Sequence, residues 1–212
     1  MSTDPVAEIL PGLWRFEGVH PEWTADEAGE DGWEQHVASW VIARPDGFVL
    51  VDPLVESWEA LDRLLAGRGG CAGIVRTCHW HERCVAEASR RYGVGVWAKI
   101  HPDGRQPFAV DHEIGDQAEL FGGLRVLDVE RADEIALWLP EQSALIFGDA
   151  MIRRNTGELR VCPESWTQPA GGPERLRALL HRLTELTPEH VLVSHGPLVL
   201  GDGTAALTSA TS

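Results

Sequence analysis

The sequence predicts an α/β fold in which two β-sheets pack face to face and helices cover their outer faces. Three observations predict it: a tight antiparallel hairpin near the N-terminus, a strand–helix–strand unit after it, and a second strand-rich stretch closed by an amphipathic helix. With 212 residues, 43% of them apolar, the chain can bury one core. We therefore predict a single domain over residues 1–203 and a small polar tail over residues 204–212.

The first half combines a hairpin with two helices. Runs rich in β-branched and aromatic residues at 37–43 and 48–52 flank a Pro-Asp-Gly turn, which predicts a hairpin. Ser57 is a suitable N-cap for a helix that ends at Gly67. A strand, a helix and a further strand follow, and the sequence places them at residues 73–77, 85–92 and 94–98.

The second half repeats this arrangement. Apolar runs predict strands at 124–129, 135–139 and 144–147, and then at 191–193. Between the last two, Pro173 suits a first helical turn. Leucines at helical spacing from Leu176 to Leu186 predict that this helix buries one face.

Charge and composition exclude several classes of function. The net charge of −15 should repel phosphate backbones, so nucleic acid is not an expected partner. The apolar runs are shorter than a membrane span, and the N-terminus lacks the layout of a signal peptide, so we expect no membrane partner and a cytoplasmic location. Four cysteines without CxxC spacing are expected to stay reduced. The composition does not determine the oligomeric state.

Polar residues with metal-binding chemistry follow the predicted strands. His79 and His81 lie two residues apart at the end of one strand, and a period of two would place both imidazoles on one side. Asp149 and His195 end two other apolar strands, where α/β proteins place their sites. Asp52 ends a further strand, and we expect it to accept hydrogen bonds from the loop backbone.

The order of these motifs resembles the metallo-β-lactamase superfamily. The resemblance rests on the hairpin ending in Asp52, on T-x-H-x-H, on "IALWLPEQSALIFGDA" and on "VLVSHGP", and it covers nearly the whole chain. It implies a four-layer αβ/βα sandwich. It also implies a hydrolase of a small ester, thioester or lactone.

The resemblance further implies a metal site with unusual ligands. In the family motif HxHxDH, Arg83 takes the aspartate position and Cys84 the last histidine position. Glu130 falls by spacing on a later histidine. The implied ligands are His79, His81, Asp149, His195, Glu130 and Cys84, of which the first four are the expected catalytic residues.

Arg83 argues against the usual two-metal site, because a guanidinium is never deprotonated at working pH. One ion, zinc or another divalent metal, remains compatible with the other ligands, and a zinc ion with an open position acts as a Lewis acid. The alternative is a chain without metal in which Arg83 takes over the electrostatic role of the ion. Such a chain would be a non-catalytic small-molecule binding or protein-interaction module.

The direction of the Arg83 side chain separates these two hypotheses, because an inward side chain favours the second. A small-molecule substrate or ligand is the expected partner in both cases. An acidic, tryptophan-containing loop after residue 20 is of a kind that covers such a pocket. The expected pocket residues are Arg83, Trp80, Trp33 and His36.

Overall fold

The computed structural model describes residues 6–28, 32–67, 69–104, 109–153 and 157–212. Its first half forms a seven-stranded sheet in the order β1-β2-β3-β4-β5-β6-β7. The first four strands are antiparallel, and the remaining pairs are parallel. The strands are β1 Val6–Leu10, β2 Leu13–Val19, β3 His36–Arg44, β4 Gly47–Val51, β5 Cys71–Val75, β6 Val96–Ala98 and β7 His112–Glu113.

Two helices cover the outer face of this sheet. Helix α1, Trp58–Ala66, begins at the predicted N-cap, because the Ser57 hydroxyl accepts a hydrogen bond from the Ala60 N–H at 3.4 Å. Helix α2, Val85–Tyr92, ends at Gly93, whose φ of 65° lies in the left-handed region that glycine adopts easily. Both ends agree with the sequence.

The second half forms a six-stranded sheet, a two-stranded ribbon and two further helices. The sheet has β11 at its centre, paired with an antiparallel neighbour on one side and a parallel one on the other. The strands are β8 Glu119–Leu120, β9 Leu124–Asp128, β10 Ile135–Leu139, β11 Ala144–Phe147, the ribbon β12 Met151–Arg153 and β13 Leu159–Val161, and then β14 His190–Val193 and β15 Val199–Leu200. The helices are α3 Pro173–His181 and α4 Gly203–Thr211.

The four layers predicted from the sequence are confirmed. Alternate residues of β3, such as Trp40 and Ile42, face the second sheet and pack with Leu137 and Ile146 in a core between the sheets. The residues between them, such as Val41, face α1 and α2. A third core lies between the second sheet and the pair α3 and α4.

The structure differs from the sequence-based prediction at a few short elements. The predicted helix over residues 173–186 is α-helical only to His181 and continues as a 3₁₀ helix, Arg182–Leu186. Strands of two or three residues, such as β7 and β15, carry too little periodicity to be predicted. The polar tail is helix α4, and its Leu207 is fully buried. Within the described residues, no helix has both the length and the apolar character that a membrane crossing requires.

The two sheets meet beside the ends of β3 and β14. The Ala38 N–H donates to the Ser194 carbonyl oxygen at 2.8 Å, and Val37 forms a bridge with His195. The loops that leave the carboxyl ends of β4, β5, β11 and β14 therefore gather at one edge of the sandwich. Open α/β sheets bind ligands at such an edge.

Candidate active site

Asp149 lies at the centre of a buried polar cluster at this edge. It follows β11 by two residues, and its Oδ1 lies 2.9 Å from Nε2 of His81 and 3.0 Å from Nε2 of His195. Burial raises the pKa of the Asp149 carboxyl, but the two histidines outweigh burial and hold this pKa well below its usual range. Asp149 is therefore an anion with two imidazoles directed at one oxygen.

His81 is held between two carboxylates. Its Nδ1 lies 2.7 Å from Oδ2 of Asp52, on the side opposite Asp149. Burial and Arg83 lower the pKa of the His81 imidazole, but Cys78, Asp52 and Asp149 outweigh them, and the pKa lies well above its usual value. An Nδ1 bonded to a carboxylate is the arrangement that orients a metal-ligating histidine in many metal sites.

Asp52 has the structural role expected from the sequence. Its φ of 47° turns the chain sharply after β4. The carboxylate then accepts hydrogen bonds from the Thr77 N–H at 2.8 Å and from the Thr77 hydroxyl at 2.5 Å. Asp52 thereby fixes the loop that carries His81.

The histidines of H-x-H do not face one another, and their predicted placement on one side is wrong. The strand ends at Val75, so a period of two no longer applies. The chain instead forms a turn in which the His81 N–H donates to the Cys78 carbonyl oxygen at 3.1 Å. Such a turn brings its first and fourth residues together, and His79 lies between them and points elsewhere.

His79 belongs to a second polar group. Its Nδ1 lies 2.6 Å from Oδ1 of Asp133, and its N–H donates to the same oxygen at 3.2 Å. The other carboxylate oxygen of Asp133 pairs with Arg76 at 2.9 Å, and the ring of His101 lies against His79. The structure therefore separates His79 from the cluster around Asp149.

Cys78 takes the place that the sequence-based prediction assigned to His79. Its fully buried Sγ lies 3.9 Å from Oδ2 of Asp149, and ligand atoms of Cys78, His81 and Asp149 all lie within 4.8 Å of one another. Burial raises the pKa of the Cys78 thiol to about 12. The sequence signal that could have identified Cys78 is its position just after the end of β5, next to Thr77. The H-x-H spacing does not point to it.

Arg83 points into the site. Its φ of 39° turns the chain back, so that Nη1 donates to the carbonyl oxygens of Ala38 at 2.8 Å and Asp52 at 3.0 Å. Its Nη2 lies 3.2 Å from Nε2 of His81. The guanidinium therefore places a fixed positive charge beside the cluster.

The structure does not bring Glu130 or Cys84 to Asp149, so the placement predicted for both is wrong. Glu130 is exposed, and its carboxylate pairs with Arg175 at 2.8 Å and Arg182 at 3.3 Å. Glu130 is on the surface because it follows β9 on the side of α3. The Sγ of Cys84 accepts the Val55 N–H at 3.4 Å and so supports a loop.

Glu134 holds the backbone at Asp149 through hydrogen bonds. The sequence-based prediction did not include it. Its fully buried Oε1 accepts the N–H groups of Asp149 and Ala150, both at 2.7 Å, and its other oxygen pairs with Arg131. Gly148 permits this approach, because a Cβ there would lie 2.9 Å from Oε1 of Glu134. Glu134 carries no sequence signal, because it lies in an acidic loop with nothing to mark it as buried.

A cavity of about 440 Å³ opens above the cluster. His81, Asp149 and His195 form its floor, and the predicted pocket residues Trp33 and Trp80 line its walls. His36 and Arg83 do not line this cavity, so their predicted place in the pocket is wrong. His36 is exposed at the start of β3 and lines a separate groove, and Arg83 contacts His81 from outside the lining. The full lining comprises His20, Glu22, Glu27, Trp33, Trp80, His81, Arg131, Asp149, Ser165, Trp166, Pro169 and His195.

Comparison with known proteins shows the family of this chain. The family model described as the metallo-beta-lactamase superfamily matches residues 29–211. This chain belongs to the metallo-beta-lactamase superfamily. No curated protein sequence matches it.

Solved structures share the metallo-beta-lactamase fold over almost the whole chain. The metallo-beta-lactamase from Pontibacter korlensis is 18% identical, with a TM-score of 0.67 and 97% of each chain covered. FIM-1 from Pseudomonas aeruginosa, solved in a mono-zinc form, is 16% identical, with a TM-score of 0.65 and coverage of 98% of this chain and 95% of FIM-1. A family protein from Thermus thermophilus is 17% identical, with a TM-score of 0.61 and coverage of 96% of this chain and 78% of that protein. At these identities the likeness shows the fold alone.

In this metallo-beta-lactamase-fold protein, two groups of described residues have ligand atoms close enough to hold a metal ion: Cys78, His81 and Asp149, and His79, His101 and Asp133. At the first group, the chemistry fits one divalent ion better than two. Zinc accepts thiolate, imidazole and carboxylate ligands, and Cys78, His81 and Asp149 supply one of each. The Arg83 guanidinium lies next to this group and would repel a second cation. The donor set therefore fits a mononuclear site.

Proposed function

We propose that this chain is a hydrolase of a small ester, thioester or lactone that uses one divalent metal ion, with zinc best suited to the donor set. The observation that carries the proposal is the convergence of His81 and His195 on Asp149 at the floor of a cavity large enough for a small substrate. Cys78, His81 and Asp149 would hold the ion. When bound, the ion would supply Lewis-acid chemistry to a carbonyl group in the cavity.

The chain's own residues have distinct roles in this proposal. Asp52 holds Nδ1 of His81, so that Nε2 is the atom directed at the site. Glu134 and His195 orient Asp149, the first through the backbone and the second through Oδ1. Trp33 and Trp166 restrict the access of water to the floor, because their rings pack against His195.

A second candidate function is favoured by the direction of Arg83. With its side chain beside the cluster, the guanidinium attracts the carboxylates of Asp52 and Asp149 without an ion, and, against the effect of burial, it helps to lower the pKa of Asp52. The chain would then be a metal-free small-molecule binding protein. For an inward arginine, the sequence-based alternative was such a binding protein or a protein-interaction module.

Elemental analysis separates the two candidates. The protein would be purified without a chelator or a histidine tag, beside an Asp149→Ala variant and a Glu130→Gln control. The hydrolase proposal expects about one zinc, iron or manganese ion per chain in the wild type and the control, and none in Asp149→Ala. It also expects metal-dependent cleavage in a screen of esters, thioesters and lactones. Absence of metal after incubation with zinc would establish the metal-free candidate instead.

A further inference from the structure

The cavity walls combine aromatic surface with negative charge. Trp33 and Trp166 approach His195 edge to face, with ring centroids at 4.9 and 5.8 Å, and both are half-buried, so part of each indole remains open to a ligand. Trp80 is 43% exposed, but its ring already carries a cation, because the Arg131 guanidinium lies over it. The ring of His20 lies 4.9 Å from that of Trp33, and no cation lies over Trp33 or Trp166 among the described contacts. Trp33 and Trp166 therefore provide the aromatic surface of the cavity.

The side chains at the entrance of the cavity are negatively charged. Glu22 and Glu27 are exposed on the loop that borders the cavity, and Glu27 is positioned by the Trp33 indole N–H, which donates to it at 3.0 Å. Asp26 extends the acidic surface into the adjoining groove, which shares Glu27 and Trp33 with the cavity. A ligand that enters from this side passes between carboxylates.

Positive charge in the lining is already paired. Among the lining residues that the structure describes, Arg131 is the one arginine and there is no lysine. Its guanidinium is buried, pairs with Glu134, and donates from Nε to the Trp166 carbonyl oxygen at 2.8 Å. The His81 imidazole lies between the carboxylates of Asp52 and Asp149, within hydrogen-bond distance of both. The Arg83 guanidinium lies 3.2 Å from His81 but does not line the cavity, so an anionic ligand would find no free cation among the described lining residues.

We propose that the cavity selects ligands that carry an ammonium group, held between Trp33 and Trp166 and attracted by Glu22 and Glu27. Quaternary ammonium groups bind aromatic faces by cation–π attraction, and carboxylates at the rim add a longer-range attraction. For the hydrolase proposed above, on which this reading of substrate class rests, the substrate is an ester or thioester with a cationic tail. The binding preference itself requires neither a metal nor turnover.

The first experiment compares choline with 3,3-dimethylbutan-1-ol, which has the same shape without the charge. Isothermal titration calorimetry on the full chain at low ionic strength is expected to give a dissociation constant about tenfold lower for choline, which corresponds to about 1.4 kcal/mol. Equal or tighter binding of the neutral alcohol would overturn the proposal, as would failure of both compounds to bind. Tighter binding of 3,3-dimethylbutanoate would overturn it in favour of an anionic ligand.

Two variants test the named residues. Glu22→Gln removes one rim charge and is expected to weaken choline binding about two- to fivefold while leaving the neutral alcohol unchanged. Glu174→Gln, an exposed carboxylate on α3 outside the cavity lining, is the matched control. Trp166→Leu is expected to weaken choline binding more than alcohol binding. An equal loss for both ligands would overturn the proposal that Trp166 holds the ammonium group.

Turnover distinguishes this inference from the proposed function. The kcat/KM for acetylcholine is compared with that for 3,3-dimethylbutyl acetate, its neutral analogue. Selective choline binding without cleavage of any ester supports the cation preference and removes the hydrolase proposal. Cleavage of both esters at equal rates, with equal binding of the two alcohols, retains the hydrolase and overturns the preference.

Discussion

The two histidines of H-x-H are expected to respond differently to substitution by alanine. His81→Ala removes two buried contacts to carboxylates, at 2.7 Å to Asp52 and 2.9 Å to Asp149. Asp52 loses its imidazole partner, and Asp149 keeps only His195, at 3.0 Å. Removal of one member of a buried charged pair costs about 3–5 kcal/mol. We expect a loss of stability of this size.

His79→Ala removes a bond to one carboxylate, and the side chain of His79 is 23% exposed. Asp133 keeps its pair with Arg76, so its charge remains compensated. One charge-assisted hydrogen bond at a partly exposed position is worth about 1.5 kcal/mol. His79→Ala should therefore cost at most about half as much stability as His81→Ala.

Zinc affinity should separate the two variants further. Changes outside the ligand set lower metal affinity by about 10–100-fold, so loss of the ligand His81 should lower it by more than about 100-fold. His79→Ala should stay within about threefold of the wild type. Urea unfolding followed by tryptophan fluorescence and zinc titration against a chromophoric chelator measure the two effects. Equal urea midpoints, or zinc loss in His79→Ala with zinc retained in His81→Ala, would refute the assignment of His81.

Three further outcomes are expected. Arg83→Gln should raise zinc affinity about tenfold in the same titration, because it removes a positive charge 3.2 Å from His81; unchanged affinity would show that the guanidinium does not oppose the ion. Gly148→Ala should lose zinc binding and stability, measured by metal content and urea midpoint, because the added Cβ would lie 2.6 Å from the Thr77 hydroxyl oxygen; a wild-type midpoint would contradict the packing. Burial lowers the pKa of His20 to about 4 in the folded protein. As the pH falls, His20 is therefore protonated in the unfolded chain at a higher pH than in the folded protein, which favours unfolding. The wild type should lose stability relative to His20→Gln as the pH falls from about 6.5 to about 4. Urea unfolding at pH 7 and pH 5 tests this, and a constant difference between the two proteins would contradict it.

Much of the architecture follows from local sequence patterns. The turn at residues 44–47, the cap at Ser57 and the glycine at Gly93 are local signals, and the structure has each where it was predicted. The placement of Asp149 and His195 after apolar strands was also predictable, because the carboxyl ends of neighbouring strands meet at one edge. These predictions needed only spacing and residue type.

The identity of the residues around Asp149 depended on contacts between distant parts of the chain. His79 is drawn away by Asp133, which lies 54 residues further along, and Arg83 is fixed by the carbonyl oxygens of Ala38 and Asp52. Glu134 is buried only because the second sheet brings it beneath Asp149. Spacing within a motif contains no information about such partners.

The sequence by itself therefore determined the packed sheets with outer helices and the edge at which the polar residues gather, because strand and helix periodicities are local properties of the chain. Its family followed from the resemblance of its ordered motifs. The tertiary structure decided which members of the Cys78 to Arg83 stretch face Asp149. That segment leaves its strand in a turn, so the direction of each side chain is set by its hydrogen-bond partners and not by a repeating period. Cys78, His81 and Arg83 face the cluster for this reason, and His79 does not.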